Sequence, residues 1–232
     1  VKRLAPLCDG FLIGSSLMAE RDLEAACRKV ILGENKVCGL TRSQDAMAAY
    51  ASGAVYGGLI FYPKSPRYVD IDCAKQVTQS APLAYVGVFV NAPLEQVVDY
   101  AQSLKLAAVQ LHGDENSEYI QSLRKQLPLG CEIWKAQAVK GELPEPLEGV
   151  DRHLYDTYSK SQKGGTGEAF DWSVLETATV PFMLAGGLNP ENIHAALYRG
   201  ANGLDLNSGV EASAGKKCQT KLQNAFSHIR NY

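Results

Sequence analysis

The sequence has no run of Lys and Arg long enough to form a basic stripe, and its formal net charge is only -2. A nucleic-acid partner therefore has no electrostatic footprint. The six cysteines, Cys8, Cys27, Cys38, Cys73, Cys131 and Cys218, form no CxxC pair and have no histidines at zinc-ligand spacing. A metal site and a disulfide framework are both unsupported, and a reducing cytoplasm fits this usage. No stretch approaches the ~20 consecutive apolar residues that a membrane helix needs. The opening VKRLAPLCDGFLIGSSLMA imitates a secretory signal, but Asp9 interrupts it and the charged helix ERDLEAACRKVI follows directly. The nucleotide signatures GxxxxGK[ST] and GxGxxG are missing as well.

What is present is a chain of 232 residues, 46% apolar and 21% charged, which is enough to bury a substantial core. The pattern alternates strand and helix eight times from Lys36 onward. NKVCGL leads to a helix over 43–52, VYGGLIF to one over 71–80, YVGVFV to one ending near Leu104, and AAVQLHG to one over 115–126. CEIWKAQAV is followed by a Pro-rich, poorly helical stretch. HLYDTY opens into the longest loop, 159–168, which holds KGGTG and leads to a short helix at Trp172. FMLAGG precedes a helix over 190–198, and GLDLNSG precedes the last helix, over 216–230. These strands are continuous apolar runs, as strands buried on both faces should be, and predict an α/β fold of the (β/α)8 TIM-barrel type.

Residues 1–34 make a ninth unit: a strand GFLIG, a loop at Ser15 and Ser16, and a helix from about Glu20 to Leu32. A closed eight-stranded barrel offers no edge to a ninth strand. GFLIGSSLM at Gly10 and GLDLNSGVE at Gly203 share a pattern and lie 193 residues apart, about one barrel length. We read the first unit as the last strand and helix of a preceding barrel, so that 1–34 is a remnant domain and 35–232 a second barrel. Residues 1–19 are expected to pack loosely, whereas the helix is expected to cover the barrel bottom.

Candidate chemistry gathers at the strand ends. Cys38 closes the first strand and reads either as a core thiol or as an acid/base group. Asp156 ends the sixth strand, where a carboxylate is costly unless it faces a polar site. Together they are a possible base and acid for moving a proton between carbons. Gly186 and Gly187 in LAGGLNPENI, and Asn207 and Ser208 in the NSG after the next strand, form adjacent Gly-rich loops suited to a phosphate. Arg67 in SPR can fork onto a carboxylate. His112 and Asp205 sit at strand ends as polar lining or satisfied core groups. His153, His194 and His228 fall away from the mouth and read as structural.

In order, KVCGLT, YPKSPRYV, VGVFVN, VQLHG, YDTYSKSQKGGTGEAFDW, LAGGLNPENI and GLDLNSGVE resemble the phosphoribosylanthranilate isomerase family over residues 35–232. Residues 1–34 are similar to the final strand and helix of indole-3-glycerol-phosphate synthase, which some bacteria fuse ahead of the isomerase. The resemblance implies an Amadori rearrangement of N-(5-phosphoribosyl)anthranilate in tryptophan biosynthesis, on a small phosphoribosyl substrate, without metal or organic cofactor. It implies Cys38 as general base and Asp156 as general acid. It further implies Arg67 on the anthranilate carboxylate, Gly186, Gly187, Asn207 and Ser208 on the phosphate, and His112 and Asp205 lining the site. The segment YSKSQKGG is longer than in some members, so its contacts transfer least. Gly14, Ser15 and Ser16 would be a relic of the synthase's phosphate site. Two other readings stay open: a different phosphosugar isomerase or epimerase on this barrel, and a catalytically silent phosphosugar-binding barrel.

Overall fold

The computed structural model describes residues 10–20, 22–157 and 171–230. Eight parallel strands close into a barrel in chain order: β1 (Lys36–Val37), β2 (Tyr56–Ile60), β3 (Ala84–Phe89), β4 (Ala108–Leu111), β5 (Glu132–Val139), β6 (Arg152–Thr157), β7 (Phe182–Leu184) and β8 (Gly203–Leu206). Closure is the pairing of β1 with β8, which sets Lys36 opposite Asp205. Because strand side chains alternate, Lys36 and Cys38, Gln110 and His112, and Asp205 and Asn207 each share a face.

The helices are α1 (Ser15–Met18), α2 (Leu23–Leu32), α3 (Ser43–Ser52), α4 (Ile71–Ser80), α5 (Leu94–Ser103), α6 (Ser117–Arg124), α7 (Ile193–Leu197) and α8 (Gln219–Arg230). Their starts follow local chemistry. Asp70 accepts the Cys73 N–H at α4, and Asn116 accepts the Tyr119 N–H at α6, caps worth about 1 kcal/mol each. The inner faces of α3 to α8 pack on the outside of the barrel in one core that includes Leu40, Leu59, Val97, Ile120 and Phe226. A smaller core fills the barrel interior with Tyr56, Val86, Trp134, Leu154 and Met183. There Tyr56 and Trp134 meet edge to face at 4.9 Å, which adds about 0.5–1.5 kcal/mol beyond burial. Arg152 lies over the Trp134 ring and pairs with Glu34 at 2.6 Å, closing the bottom.

The exposed residues of the N-terminal unit fit the expected loose packing, but the strand read at GFLIG does not form. Residues 10–14 form no strand, and Ser15–Met18 is a single helical turn. The eight strands satisfy one another's backbone groups around the circle, so GFLIG has nothing to pair with. Leu12 and Met18 stand in solvent. The following helix does form, with Asp22 accepting the Ala25 N–H, although it begins at Leu23 rather than Glu20. It does lie against the barrel bottom, where Arg28 Nη2 donates to the carbonyls of Tyr50 and Ala54, just before β2.

Other boundaries shift for local reasons. Lys216–Lys217 is not helical but a short strand, β10, antiparallel to β9 (Glu211–Ser213). Gly215, at φ 75°, makes the turn between them. The helix expected from Pro190 is confined to Ile193–Leu197, because the Asn189 side chain accepts the N–H groups of Glu191 and Asn192 and holds that stretch as a turn. Trp172–Thr177 is a 3-10 helix. The loop that holds KGGTG lies outside the described residues.

Candidate active site

A cleft of about 400 Å³ opens at the C-terminal ends of the strands. Cys38, Arg67, His112, Asp156, Gly186, Gly187, Asp205, Asn207 and Ser208 all line it, so the structure brings together all nine site residues expected from the sequence. His153 instead pairs with Gln137 at 2.8 Å, and His194 lies on α7; neither lines the cleft.

Cys38 follows the last residue of β1 and is 5% exposed, with its N–H donating to the Leu206 carbonyl. Burial pushes its thiol above the ordinary value, and the positive charges of Lys36 and Lys217 only partly offset this. Asp156 faces it from β6, with Oδ2 3.7 Å from His112 Nε2. The two groups therefore approach a bound molecule from different strands of one mouth.

Gly39, directly after the thiol, has φ +68°, and a Cβ there would sit 2.6 Å from Arg67 Cδ and 2.9 Å from Asn207 Oδ1. Glycine at this position thus lets the Arg67 side chain cross the end of β1 to reach the cleft. Arg67 Nε and Nη2 both bond the Glu211 carboxylate, at 2.9 and 2.7 Å. The fork is therefore half used by the protein. Nη1 and one N–H of Nη2 remain to bond a ligand carboxylate, in an orientation that Glu211 fixes.

Glu211 also accepts from Lys217 Nζ at 2.8 Å, and Lys217 donates to Asn207 Oδ1 at 3.0 Å. Burial pushes the Glu211 carboxyl up, but these two cations outweigh it and hold it below its ordinary value. The chain Arg67, Glu211, Lys217, Asn207 couples the Arg67 side of the cleft to the loop after β8. Beside that loop, Gly186 and Gly187 take φ of 86° and 64° after β7. Side-chain donors from Asn189 and Asn192 bond the Gly187 carbonyl at 3.2 and 2.9 Å, fixing this turn.

Asp205 pairs with the fully buried Lys36 at 2.7 Å, and Lys36 Nζ also bonds Gln110 Oε1 at 3.0 Å. Burial raises the Asp205 carboxyl, with Lys36 opposing. Its other oxygen, Oδ1, is buried with no hydrogen-bond partner among the described residues. An acceptor in that state, on a residue lining the cleft, suits a hydroxyl donor from a ligand.

Sequence reasoning missed Lys36, Gln110, Glu211 and Lys217. Lys36 and Gln110 carried a signal, since each stands two residues before a chosen group, Cys38 and His112. Glu211 and Lys217 carried none, because their roles depend on a hairpin that the helical reading of 216–230 concealed.

The family described as N-(5'phosphoribosyl)anthranilate (PRA) isomerase matches residues 35–228. Among curated relatives, the tryptophan biosynthesis protein TrpCF of Vibrio cholerae is 54% identical over 233 residues, covering 100% of this chain and 50% of that protein. The TrpCF of Yersinia pestis is 53% identical, covering 100% of this chain and 48% of that protein. The chain thus spans about half the length of the curated relatives it matches. Among solved structures, the phosphoribosyl anthranilate isomerase of Thermus thermophilus is 31% identical with a TM-score of 0.74, covering 84% of this chain and 98% of that one. Another isomerase, solved with reduced 1-(o-carboxyphenylamino)-1-deoxyribulose 5-phosphate, is 30% identical with a TM-score of 0.73, covering 86% and 100%. With a closed eight-stranded barrel whose strand ends converge on one cleft and a family match over most of its length, this chain belongs to the N-(5'phosphoribosyl)anthranilate isomerase family.

Proposed function

We propose that this barrel carries out the Amadori rearrangement of N-(5-phosphoribosyl)anthranilate in tryptophan biosynthesis, with Asp156 as general acid and Cys38 as general base. The observation that carries the assignment is the meeting of Cys38 and Asp156 across one cleft that also holds Arg67 and the two Gly-rich loops. Asp156 gives its proton to the furanose ring oxygen, the C1–O bond breaks, and the anthranilate nitrogen lone pair forms the iminium. Cys38, as thiolate, removes the proton from the sugar's second carbon. The C–H electrons neutralise the iminium, and the resulting enolamine tautomerises to the 1-deoxyribulose. A thiol is a suitable group for this proton, and the positive charges of Lys36 and Lys217 favour its thiolate against the burial that raises it.

Arg67 holds the anthranilate carboxylate with the donors Glu211 leaves over. Gly186, Gly187, Asn207 and Ser208 hold the phosphate, and His112 and Asp205 line the sugar, Asp205 through Oδ1. The ligand in the similar solved isomerase carries a carboxyphenyl group, a sugar chain and a phosphate, which is the set of groups these residues fit. No step needs a metal or organic cofactor.

Residues 35–232 form the isomerase domain, and 1–34 are the end of a preceding domain in a longer native chain, an indole-3-glycerol-phosphate synthase barrel in the cytoplasm. Support comes from relatives about twice this length and from the family match starting at residue 35. Among the described residues no helix is long and apolar enough to cross a membrane.

The test is loss of phosphoribosylanthranilate fluorescence on adding the chain, with Cys38→Ala and Asp156→Ala beside it. Turnover by wild type and large losses in both variants are expected. Full activity in either variant would remove that residue from its role.

A further inference from the structure

We propose that Lys36 is a positioning residue for the isomerisation: its ammonium, pinned beneath the cleft by Asp205 and Gln110, is the fixed counter-charge for the Cys38 thiolate. This rests on Cys38 acting as the base.

The placement is set by the strand. Lys36 and Cys38 stand two residues apart at the end of β1 and share the inward face. Across from them, Gly58 on β2 has no side chain, and a Cβ built there would lie 2.7 Å from Cys38 Sγ and 3.0 Å from Lys36 Cε. The thiol and the end of the lysine thus occupy the space that a larger residue would fill, side by side. The ammonium cannot leave, because its side chain is fully buried and Nζ bonds Asp205 at 2.7 Å and Gln110 at 3.0 Å. A buried lysine is costly unless paired. Asp205 on the neighbouring strand β8 meets that need, and here it also holds the cation next to the reacting thiol.

The other charged groups do not substitute for it. Asp205 on β8 opposes the thiolate. Arg67, in the loop after β2, and Lys217 on β10 both favour it, but each is bonded to Glu211 at 2.8 Å or less. Asp156 on β6 and His112, directly after β4, face each other at 3.7 Å on another part of the mouth. Lys36 is the strongest influence of an opposite charge on the thiol, and a hydrogen bond between the two groups acts in the same direction.

The experiment follows iodoacetamide modification of Cys38, quantified on its peptide across a pH series in the full chain, together with the pH profile of kcat/KM. In K36M the midpoint of both should rise by about one pH unit or more, the effect of removing a close opposite charge, with kcat at neutral pH falling and KM little changed. In D205N, where the ammonium is unopposed, the modification midpoint should fall. A purely structural role would loosen the site and move both variants the same way. If K36M does not fold, K36M/D205N leaves no unpaired buried charge and its midpoint should lie above that of wild type. Midpoints that do not move, or that move together, would overturn the proposal. C38A separates this outcome from failure of the base itself, since an active C38A removes Cys38 and an inactive C38A with unmoved midpoints removes only Lys36.

Discussion

Gly58→Ala is a one-methyl perturbation whose consequence can be worked from distances. The new Cβ would sit 2.7 Å from Cys38 Sγ, 3.0 Å from Cys38 Cα and 3.0 Å from Lys36 Cε. The sulfur can rotate, but the Cα belongs to a backbone whose N–H is held by the Leu206 carbonyl at 2.8 Å. Overpacking of this kind costs about 1–3 kcal/mol. At about 2–4 °C per kcal/mol for a domain of this size, the melting temperature should fall by about 2–12 °C. The thiol must also turn or retreat, and a displacement near 1 Å from the reacting carbon can cost about a hundredfold in rate. The expected result is a folded protein with kcat reduced about 10- to 100-fold and KM nearly unchanged, since Arg67 and the loops after β7 and β8 are untouched. Steady-state fluorescence kinetics and a thermal melt on the same preparation read both numbers. A variant with wild-type kcat and melting temperature would refute the placement of Cys38 and Lys36 against this strand.

Gly209→Ala should separate binding from chemistry: its Cβ would lie 2.0 Å from the Leu188 carbonyl, prying apart the loops after β7 and β8, so KM should rise well beyond the change in kcat. Glu211→Gln should raise KM by loosening Arg67, and should flatten the acid side of the melting curve. The wild-type Glu211 carboxyl is held below its ordinary value of 4.5; its stabilisation is therefore present above that pH and lost as pH falls through the lower folded value. Replacing Lys135 with Met strands Glu115, which accepts from Lys135 at 2.8 Å and from the Asn91 and Gly113 N–H groups. Breaking such a buried pair costs about 3–5 kcal/mol, and chemical denaturation would show it; the E115Q/K135M double variant should recover part of the loss.

The barrel, its strand order and the nine residues at its mouth were legible because each rests on a local rule. Continuous apolar runs mark strands buried on both faces, and a residue at the end of a parallel strand faces the one opening such a barrel has. That is why the positions of Cys38, Asp156 and Asp205 at the mouth are legible in the sequence. GFLIG misled for a global reason: an apolar run becomes a strand only when an edge will pair with it, and β1 and β8 pair with each other. Residues 216–217 misled because their helical pattern ignores a turn at Gly215 that returns Lys217 to Glu211.

The sequence by itself therefore determined which element carries each candidate acid or base, since strand alternation and strand ends are properties of neighbours along the chain. Only the tertiary structure decided what charge those groups feel. The burial of Lys36 against Asp205 spans 169 residues, and the bond of Arg67 to Glu211 spans 144. Neither has a local signature, because Coulomb energy depends on separation in space and on excluded water, which closure of the barrel sets.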